Sequence, residues 1–492
     1  MGRNNAYLTL DLGAGNGRAF ICTIENGRIS AEELHRFGNK PVRLGGTVYW
    51  DFLYLWGQVL EALRRCAAEG YDRLKGIGID TWNADFGLIG KGGMLLANPV
   101  SYRDQATLTV LDEIGRLIEE NELFHITGSG LNPITALSRL FHIRKELLPD
   151  VFRITETYLP LPDLFRFYLT GERKAEETIL WGSQLISIES RSWASEIIEA
   201  ARFPRKIFPE IIPPGTVAGK LTEEVCGATG MKPSQVIAVA GHDTISASAA
   251  VTDRRDTTMF ISTGTWSVAG NILGRAVEDY RAAHLGFFNA LGVESVVFAK
   301  FFMGFYILEG CIDVWTLRGI DCSYEALNAR AERSTPFALR IDPNDPALFS
   351  SAQMEKTLCQ YLAATGQEYP DDPGIVVRSL FEGLVFSYRE TAEQIETLTG
   401  KRIRQVHVLG GGVKNPVFCR MIADGAGRPV TLGAAEATVL GNLGMQASAT
   451  GEVEGLDAFH QILRESFPQE VLIPGDPGPW EEEYRKRQRE QR

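Results

Sequence analysis

Asp11-Leu-Gly-Ala-Gly-Asn-Gly-Arg18 is a glycine-rich turn, and the β-strand pattern after it restricts the fold more than any other feature of the chain. Ala6 to Leu10 reads as a buried strand before the turn, and Ala19 to Glu25 as a second strand after it. A dinucleotide-binding turn opens a helix instead, so a Rossmann reading fails. GxxxxGK[ST] occurs nowhere, so a P-loop fails too. Asn26-Gly27 is a hairpin signal, and Arg28 to Arg36 reads as a third strand. What remains is a β-hairpin whose tip presents backbone N–H groups in a concavity that can hold phosphate oxygens. Asp11, at the start of the turn, is placed to hold a metal ion riding on those phosphates. The plain alternative is an ordinary hairpin that happens to begin with Asp.

The pattern recurs. Thr257-Thr-Met-Phe-Ile-Ser262-Thr-Gly-Thr265-Trp-Ser-Val-Ala-Gly270 is again strand, short Gly/Thr turn, strand. Two such hairpins, one heading each half, imply a duplicated α/β fold with a ligand held between its halves. The length agrees, because 492 residues exceed what one hydrophobic core organises. The formal net charge is −12, and Lys and Arg form no run outside the last few residues. Neither nucleic acid nor an anionic membrane is therefore expected as the main partner. Seven cysteines, an odd number without CxxC, argue for reduced thiols rather than disulfides or a zinc site. No signal-peptide core and no membrane-length apolar run occur, so a cytoplasmic protein is expected.

Between the hairpins lies Val236-Ile-Ala-Val-Ala-Gly-His-Asp243-Thr-Ile-Ser-Ala-Ser248. It reads as a buried strand, then Gly241-His242-Asp243-Thr244, then a small-residue helix suited to close packing. A carboxylate at the end of a buried strand can serve as a general base, although Asp is also a favoured helix N-cap. Lys75 to Ile79 is another buried strand, ending in Asp80-Thr-Trp-Asn-Ala-Asp85. Carboxylates, an amide and an indole there suit a polyol, whose hydroxyls hydrogen-bond and whose C–H face stacks on Trp82; a structural turn with a core Trp is the alternative. Tyr102-Arg103-Asp104 can line the same site.

The remainder is read more coarsely. Helical spacing runs from Phe52 to Leu63 up to Gly70, Gly90 to Gly93 is a plain hairpin, and residues about 107–202 read as mainly helical. In the second half a helix begins near Met303 and contains Glu309, and a long amphipathic helix covers Val376 to Ile395. Gln405 to Leu409 is a strand, followed by Gly410-Gly411-Gly412 and Asn415. The glycines admit a flat ligand close to the backbone, and Asn415 can reach a base or ribose. The charged tail from Pro479 reads as an exposed helix without function.

DLGAGNGR, GHDT, STGTW and VLGGGVKNP, in that order, resemble the FGGY carbohydrate kinases of the actin/hexokinase/Hsp70 superfamily, and most nearly the rhamnulokinase branch. Gly78-Ile-Asp-Thr-Trp82, Asp85-Phe86, Tyr102-Arg-Asp104 and Pro162-Asp163 support this. The resemblance implies two RNase H-like domains flanking a catalytic cleft, with a cut after Thr244 into residues 1–244 and 245–492. It implies ATP and Mg2+ as cofactors, a small sugar as substrate, and a monomer or homodimer. Ala14, Gly15, Asn16, Gly17 and Arg18 would meet the phosphates with Thr265, and Asp11 would lie near magnesium. Glu309, Gly411, Gly412 and Asn415 would border the nucleotide. Asp243 would be the base, with His242 and Thr244 flanking the sugar and Trp82, Asn83 and Phe301 beside it.

Several positions depart from that branch. Asn83 stands where Gly is usual, Phe301 where Asn is usual, and Glu309 where Gln is usual. Arg103-Asp-Gln-Ala-Thr107 lacks a second Arg, and His284-Leu-Gly-Phe-Phe-Asn289 replaces Asn-Glu-Gly-Gly. Most nucleotide-side pieces are kept while sugar-side pieces change, so the expectation is a sugar kinase whose sugar is less firmly specified than its chemistry.

Overall fold

A computed structural model describes residues 5–348 and 353–490 and divides the chain into two compact units. Both are discontinuous. The first takes the chain up to Thr252 together with Leu273–Phe298 and Ala437–Phe467; the second takes Asp253–Ile272, Ala299–Glu436 and the chain from Pro468.

The first unit is built on a six-stranded mixed sheet ordered Thr216–Lys220, Gln235–Ala238, Gly76–Thr81, Ala6–Leu12, Asn16–Glu25, Arg28–Gly38. The middle three run parallel and their outer neighbours antiparallel. Every residue of Ala6–Leu12 and of Gly76–Thr81 is buried, as strands covered on both faces require. One covering helix is Phe52–Ala68. Asp51 caps it by accepting from Tyr54 N–H at 3.0 Å, and Leu55, Val59 and Leu63 lie buried along one stripe. Another is Ala437–Ala449, which comes very close to the sheet because Gly76 and Gly78 have no side chains. A Cβ at Gly78 would lie 2.3 Å from Asn442 Oδ1, and one at Gly76 2.7 Å from Gln446 Oε1. The small-residue helix Asp243–Ala249 packs on the same helix, with Gly441 pressed against the Ser246 carbonyl.

The second unit repeats the plan. Five successive strands of its seven-stranded sheet run Ser267–Leu273, Thr258–Thr263, Gln405–Gly410, Val430–Leu432, Glu470–Leu472. Gln405–Gly410 is parallel to both neighbours, and the outer pairs are antiparallel. The long amphipathic helix is Pro373–Thr399, capped by Asp372 and ended by Gly400 at φ +68°.

Three sequence expectations change. The strands run deeper into the first glycine turn, so Asp11 sits inside Ala6–Leu12, paired across from Arg18. The 107–202 region carries strands Thr157–Pro160 and Lys174–Glu176 among its helices. The tail helix Gly478–Glu490 is not simply exposed. Trp480 and Tyr484 are buried on it, packed against Phe386 with ring centroids 5.2 and 5.9 Å away. Charge on its outer face hides that anchor from a sequence reading.

Candidate active site

Three aspartates lie at or just beyond the ends of the parallel strands of the first unit. Asp11 and Asp80 are register partners on adjacent parallel strands. Gly241 carbonyl accepts from Thr81 N–H at 2.8 Å, which brings the segment leading to Asp243 beside the same edge. Arg18 Nη2 lies 2.5 Å from Asp11 Oδ2. Asp80 is fully buried; its Oδ2 accepts from Asn442 Nδ2 at 2.6 Å, and its Oδ1 has no partner among the described residues. Burial first, then the charge of Asp11, and more weakly that of Asp243, hold its carboxyl well above the ordinary carboxylate range.

Asp243 is the first residue of its helix, and the N-cap position belongs to His242, so Asp243 does not cap the helix in the usual sense. Its Oδ1 accepts from Thr244 N–H at 2.6 Å and Thr244 Oγ1 at 3.2 Å, and His242 Nε2 lies 3.2 Å from the same oxygen. Its Oδ2 accepts from none of the described residues. One oxygen is thus anchored and the other open, with 32% of the side chain accessible. The carboxyl is nevertheless deep, and burial pushes it up to about 6 against the two Thr244 hydrogen bonds. Burial pushes His242 down to about 3, so the imidazole is neutral at ordinary pH.

Glu176 sets the backbone beneath this pair, a role that no sequence pattern exposes. It is fully buried, and its Oε2 accepts from Gly241 N–H at 2.9 Å and Ile179 N–H at 3.2 Å. Both its oxygens also take Thr178, through N–H and Oγ1, at 2.8 Å each. Burial pushes it up to about 8 against these donors.

Beside the aspartates, Trp82 is held by a buried polar knot. Asp85 Oδ2 accepts from Trp82 Nε1 and Trp50 Nε1, both at 2.5 Å, and Asp85 Oδ1 pairs with Arg139. Arg139 also donates to Ala84 carbonyl at 3.0 Å. Asp85 therefore fixes two indoles rather than presenting a free carboxylate. Asn83 stays half-buried beside them.

The two glycine turns share one construction. In the first unit Asn39, buried and marked by no sequence motif, ties the turn's carbonyls from behind: its side chain donates to Gly13 carbonyl at 2.9 Å and its N–H to Gly15 carbonyl at 3.1 Å. The N–H groups of Ala14 and Gly15 donate to none of the described residues. Asn16, Gly17 and Arg18 already belong to the following strand. In the second unit Phe305 and Tyr306 N–H groups tie Gly264 and Thr265 carbonyls at 2.9 and 3.1 Å. Thr265 Oγ1 donates to Glu309 Oε1 at 3.0 Å, and burial raises that carboxyl. Backbone donors facing outward from a pinned turn are what phosphate oxygens require.

Also in the second unit, Gly411 and Gly412 follow the Gln405–Gly410 strand. Gly412 N–H donates to Thr263 Oγ1 at 3.0 Å, and a Cβ there would lie 2.4 Å from that oxygen. Asn415 is engaged at both ends of its amide, accepting from Phe418 N–H at 3.0 Å as helix N-cap and donating to Asn328 at 2.9 Å. Phe301 is 40% exposed. The first unit thus brings together Asp11, residues 14–18, Trp82, Asn83 and residues 242–244. The second carries Thr265, Phe301, Glu309, Gly411, Gly412 and Asn415.

Two family domains match this chain in order. The N-terminal domain of the FGGY family of carbohydrate kinases matches residues 6–250, and the C-terminal domain of that family matches 259–450. A rhamnulokinase from Bacteroides thetaiotaomicron is 33% identical over 97% of this chain and 98% of its own length. One from Bacillus subtilis is 30% identical over 96% of each chain. Among solved structures, xylulose kinase from Rhodospirillum rubrum superposes with a TM-score of 0.80 at 18% identity, covering 98% of this chain and 97% of that one. Plasmodium falciparum glycerol kinase with ADP gives 0.79 at 15% identity, covering 99% and 97%. These last two speak for the fold, which is the two-domain mixed α/β fold of the actin/hexokinase type. With both family domains matched in order over nearly the whole chain, this protein belongs to the FGGY family of carbohydrate kinases and is an ATP-dependent sugar kinase.

Proposed function

We propose that the chain transfers the γ-phosphoryl group of ATP to a hydroxyl of a ketose, with L-rhamnulose giving L-rhamnulose 1-phosphate as the first candidate. The observation that carries the chemistry is Asp243: one oxygen anchored by Thr244 and the other open, at a carboxyl poised near 6. A base near neutrality with a free lone pair can accept a hydroxyl proton as the oxygen bonds to phosphorus and the bond from phosphorus to the departing ADP oxygen breaks. The names of the relatives support the sugar.

In this reading His242, Thr244, Trp82, Asn83 and Phe301 face the sugar. Ala14, Gly15, Asn16, Gly17, Arg18 and Thr265 meet phosphate oxygens. Glu309, Gly411, Gly412 and Asn415 border the nucleotide. The sugar edge and first hairpin lie in residues 1–244, and the second hairpin and adenine side in 245–492. Mg2+ fits beside Asp11. Among the described residues no three metal-ligating side chains converge, but magnesium on nucleotide phosphates needs only one or two carboxylates. The charges of Asp11 and Asp243 both raise Asp80, so the strand ends hold an excess of negative charge that suits a cation. When bound, the ion would neutralise phosphate charge. No helix among the described residues is long and apolar enough to cross a membrane, and we place the enzyme in the cytoplasm as a monomer or homodimer.

The test is coupled ADP release with L-rhamnulose, L-fuculose, xylulose, ribulose and glycerol. L-Rhamnulose should give the highest kcat/KM. Another ketose turned over with L-rhamnulose inert would overturn the sugar, and no sugar-stimulated ADP release would overturn the whole reading.

A further inference from the structure

Asn83 occupies space that exists only because residue 182 is glycine. A Cβ on Gly182 would lie 1.9 Å from Asn83 Oδ1, 2.1 Å from Nδ2 and 2.3 Å from Cγ, so even alanine would displace the amide. Asn83 Oδ1 is turned onto its neighbour Ala84 N–H at 2.6 Å. That leaves Nδ2 as a donor with no acceptor among the described residues.

The residue before Gly182 repeats the situation. Trp181 is 94% buried (6% exposed), and its Nε1–H has no partner among the described residues. Its ring is stacked on His242 at 6.2 Å with a 20° interplanar angle, and Phe288 packs against it, tilted by 35°, at 4.6 Å. His242 Nδ1 is likewise buried without a partner. A buried indole N–H left unpaired is destabilising, and native proteins rarely tolerate it unless something else supplies the acceptor. Here the two unmatched donors flank Gly182 beside the residue next to Asp243.

We propose that Trp181 and Asn83, the latter admitted by Gly182, form the specificity wall of the sugar site, their N–H groups donating to oxygen substituents of the bound ketose. The inference rests on reading His242 and Asp243 as the sugar side. It does not depend on which ketose is the substrate. An indole N–H and an amide NH₂ are donors only in this arrangement, so the wall selects sugars that present hydroxyl or carbonyl oxygens toward it. It disfavours those that present a deoxy carbon there, since the Trp181 N–H would then stay buried and unpaired and the Asn83 amide would gain no acceptor from the sugar.

Trp181→Phe keeps an aromatic ring beside His242 but removes the N–H, together with part of the indole's buried volume. With whichever sugar the wild type turns over best, the sugar KM should rise about tenfold or more. The ATP KM should stay within error, and the melting temperature should fall by no more than a few degrees, the share expected from the smaller ring. Gly182→Ser should raise the sugar KM by displacing Asn83, and Asn83→Gly/Gly182→Ser should relieve that clash while changing the order of preference among the sugars. An unchanged sugar KM in Trp181→Phe overturns the proposal, as does a raised KM accompanied by a large fall in melting temperature, which would mark a packing role. Wild-type enzyme that turns over no sugar would instead overturn the assignment of the site itself.

Discussion

Asp11 and Asp80 sit directly across from one another on adjacent parallel strands, with Arg18 beside Asp11 and Asn442 on Asp80. Two carboxylates in register at a sheet edge repel, and the pair persists because one is ion-paired and the other is held as the more readily protonated partner. The arrangement is destabilising in itself. That is the signature of a site selected for chemistry rather than for stability.

The stability consequence has a definite sign. Asp80 is held above its unfolded value, so the folded state binds the extra proton, and stability falls as pH rises through the folded value. Asp80→Asn removes that loss, and its side-chain oxygen can still accept from Asn442. Its melting temperature should match wild type near pH 4 and exceed it by a few degrees at pH 8, read by scanning fluorimetry across pH. A variant less stable than wild type at pH 8 would count against this account of Asp80.

Catalysis should report the neighbouring carboxyl. Asp243 accepts a proton only when ionised, so log kcat/KM should fall with unit slope below about pH 6 and level off above it. Asp243→Asn should lower kcat by about 10²–10⁴-fold while nucleotide affinity and fold persist. Turnover above a tenth of wild type would remove Asp243 from the role of base. So would an acid limb retained in the residual activity of the variant.

Asp243, the two hairpins and their order are readable in the sequence because strand–turn–strand chemistry is local. Short buried apolar runs and glycines mark it without reference to the rest of the chain. The groups that hold the site in place are not readable. Asn39, Glu176 and Asn442 reach it from 26, 65 and 362 positions away along the chain (Gly13 to Asn39, Glu176 to Gly241, Asp80 to Asn442), and only folding brings them there. Asp85 reads as a sugar ligand at a strand end, yet it is held by Trp50, Trp82 and Arg139, two of them distant in sequence. The tail misleads for the opposite reason: abundant charge outweighs the two aromatic residues that anchor it.

That anchor gives a stability prediction in the second unit. Trp480 is 7% exposed, packs edge-on to Phe337 at 5.1 Å, and lies where Gly425 leaves room, a Cβ there coming within 2.8 Å of its ring. Trp480→Ala should destabilise by about 3–5 kcal/mol, as for other buried tryptophans, and shift urea unfolding accordingly. Loss below about 1 kcal/mol would show the tail helix to be superficial.

Glu176 offers the sharpest separation of positioning from packing. It accepts from Gly241, Thr178 and Ile179, and glutamine would turn an NH₂ toward at least one of those donors. That mismatch should cost about 1–3 kcal/mol and loosen the backbone that carries His242 and Asp243. Glu176→Gln should therefore lower kcat about tenfold with little change in the ATP KM. The pH dependence distinguishes this from general damage. Glu176 is held near 8, above its unfolded value, so wild type loses its contribution to stability as pH climbs toward and past 8, whereas glutamine does not titrate. The gap in melting temperature between variant and wild type should narrow from pH 6 to pH 9, and a gap that widens over that range would contradict the assignment of Glu176 as a buried, donor-held acid.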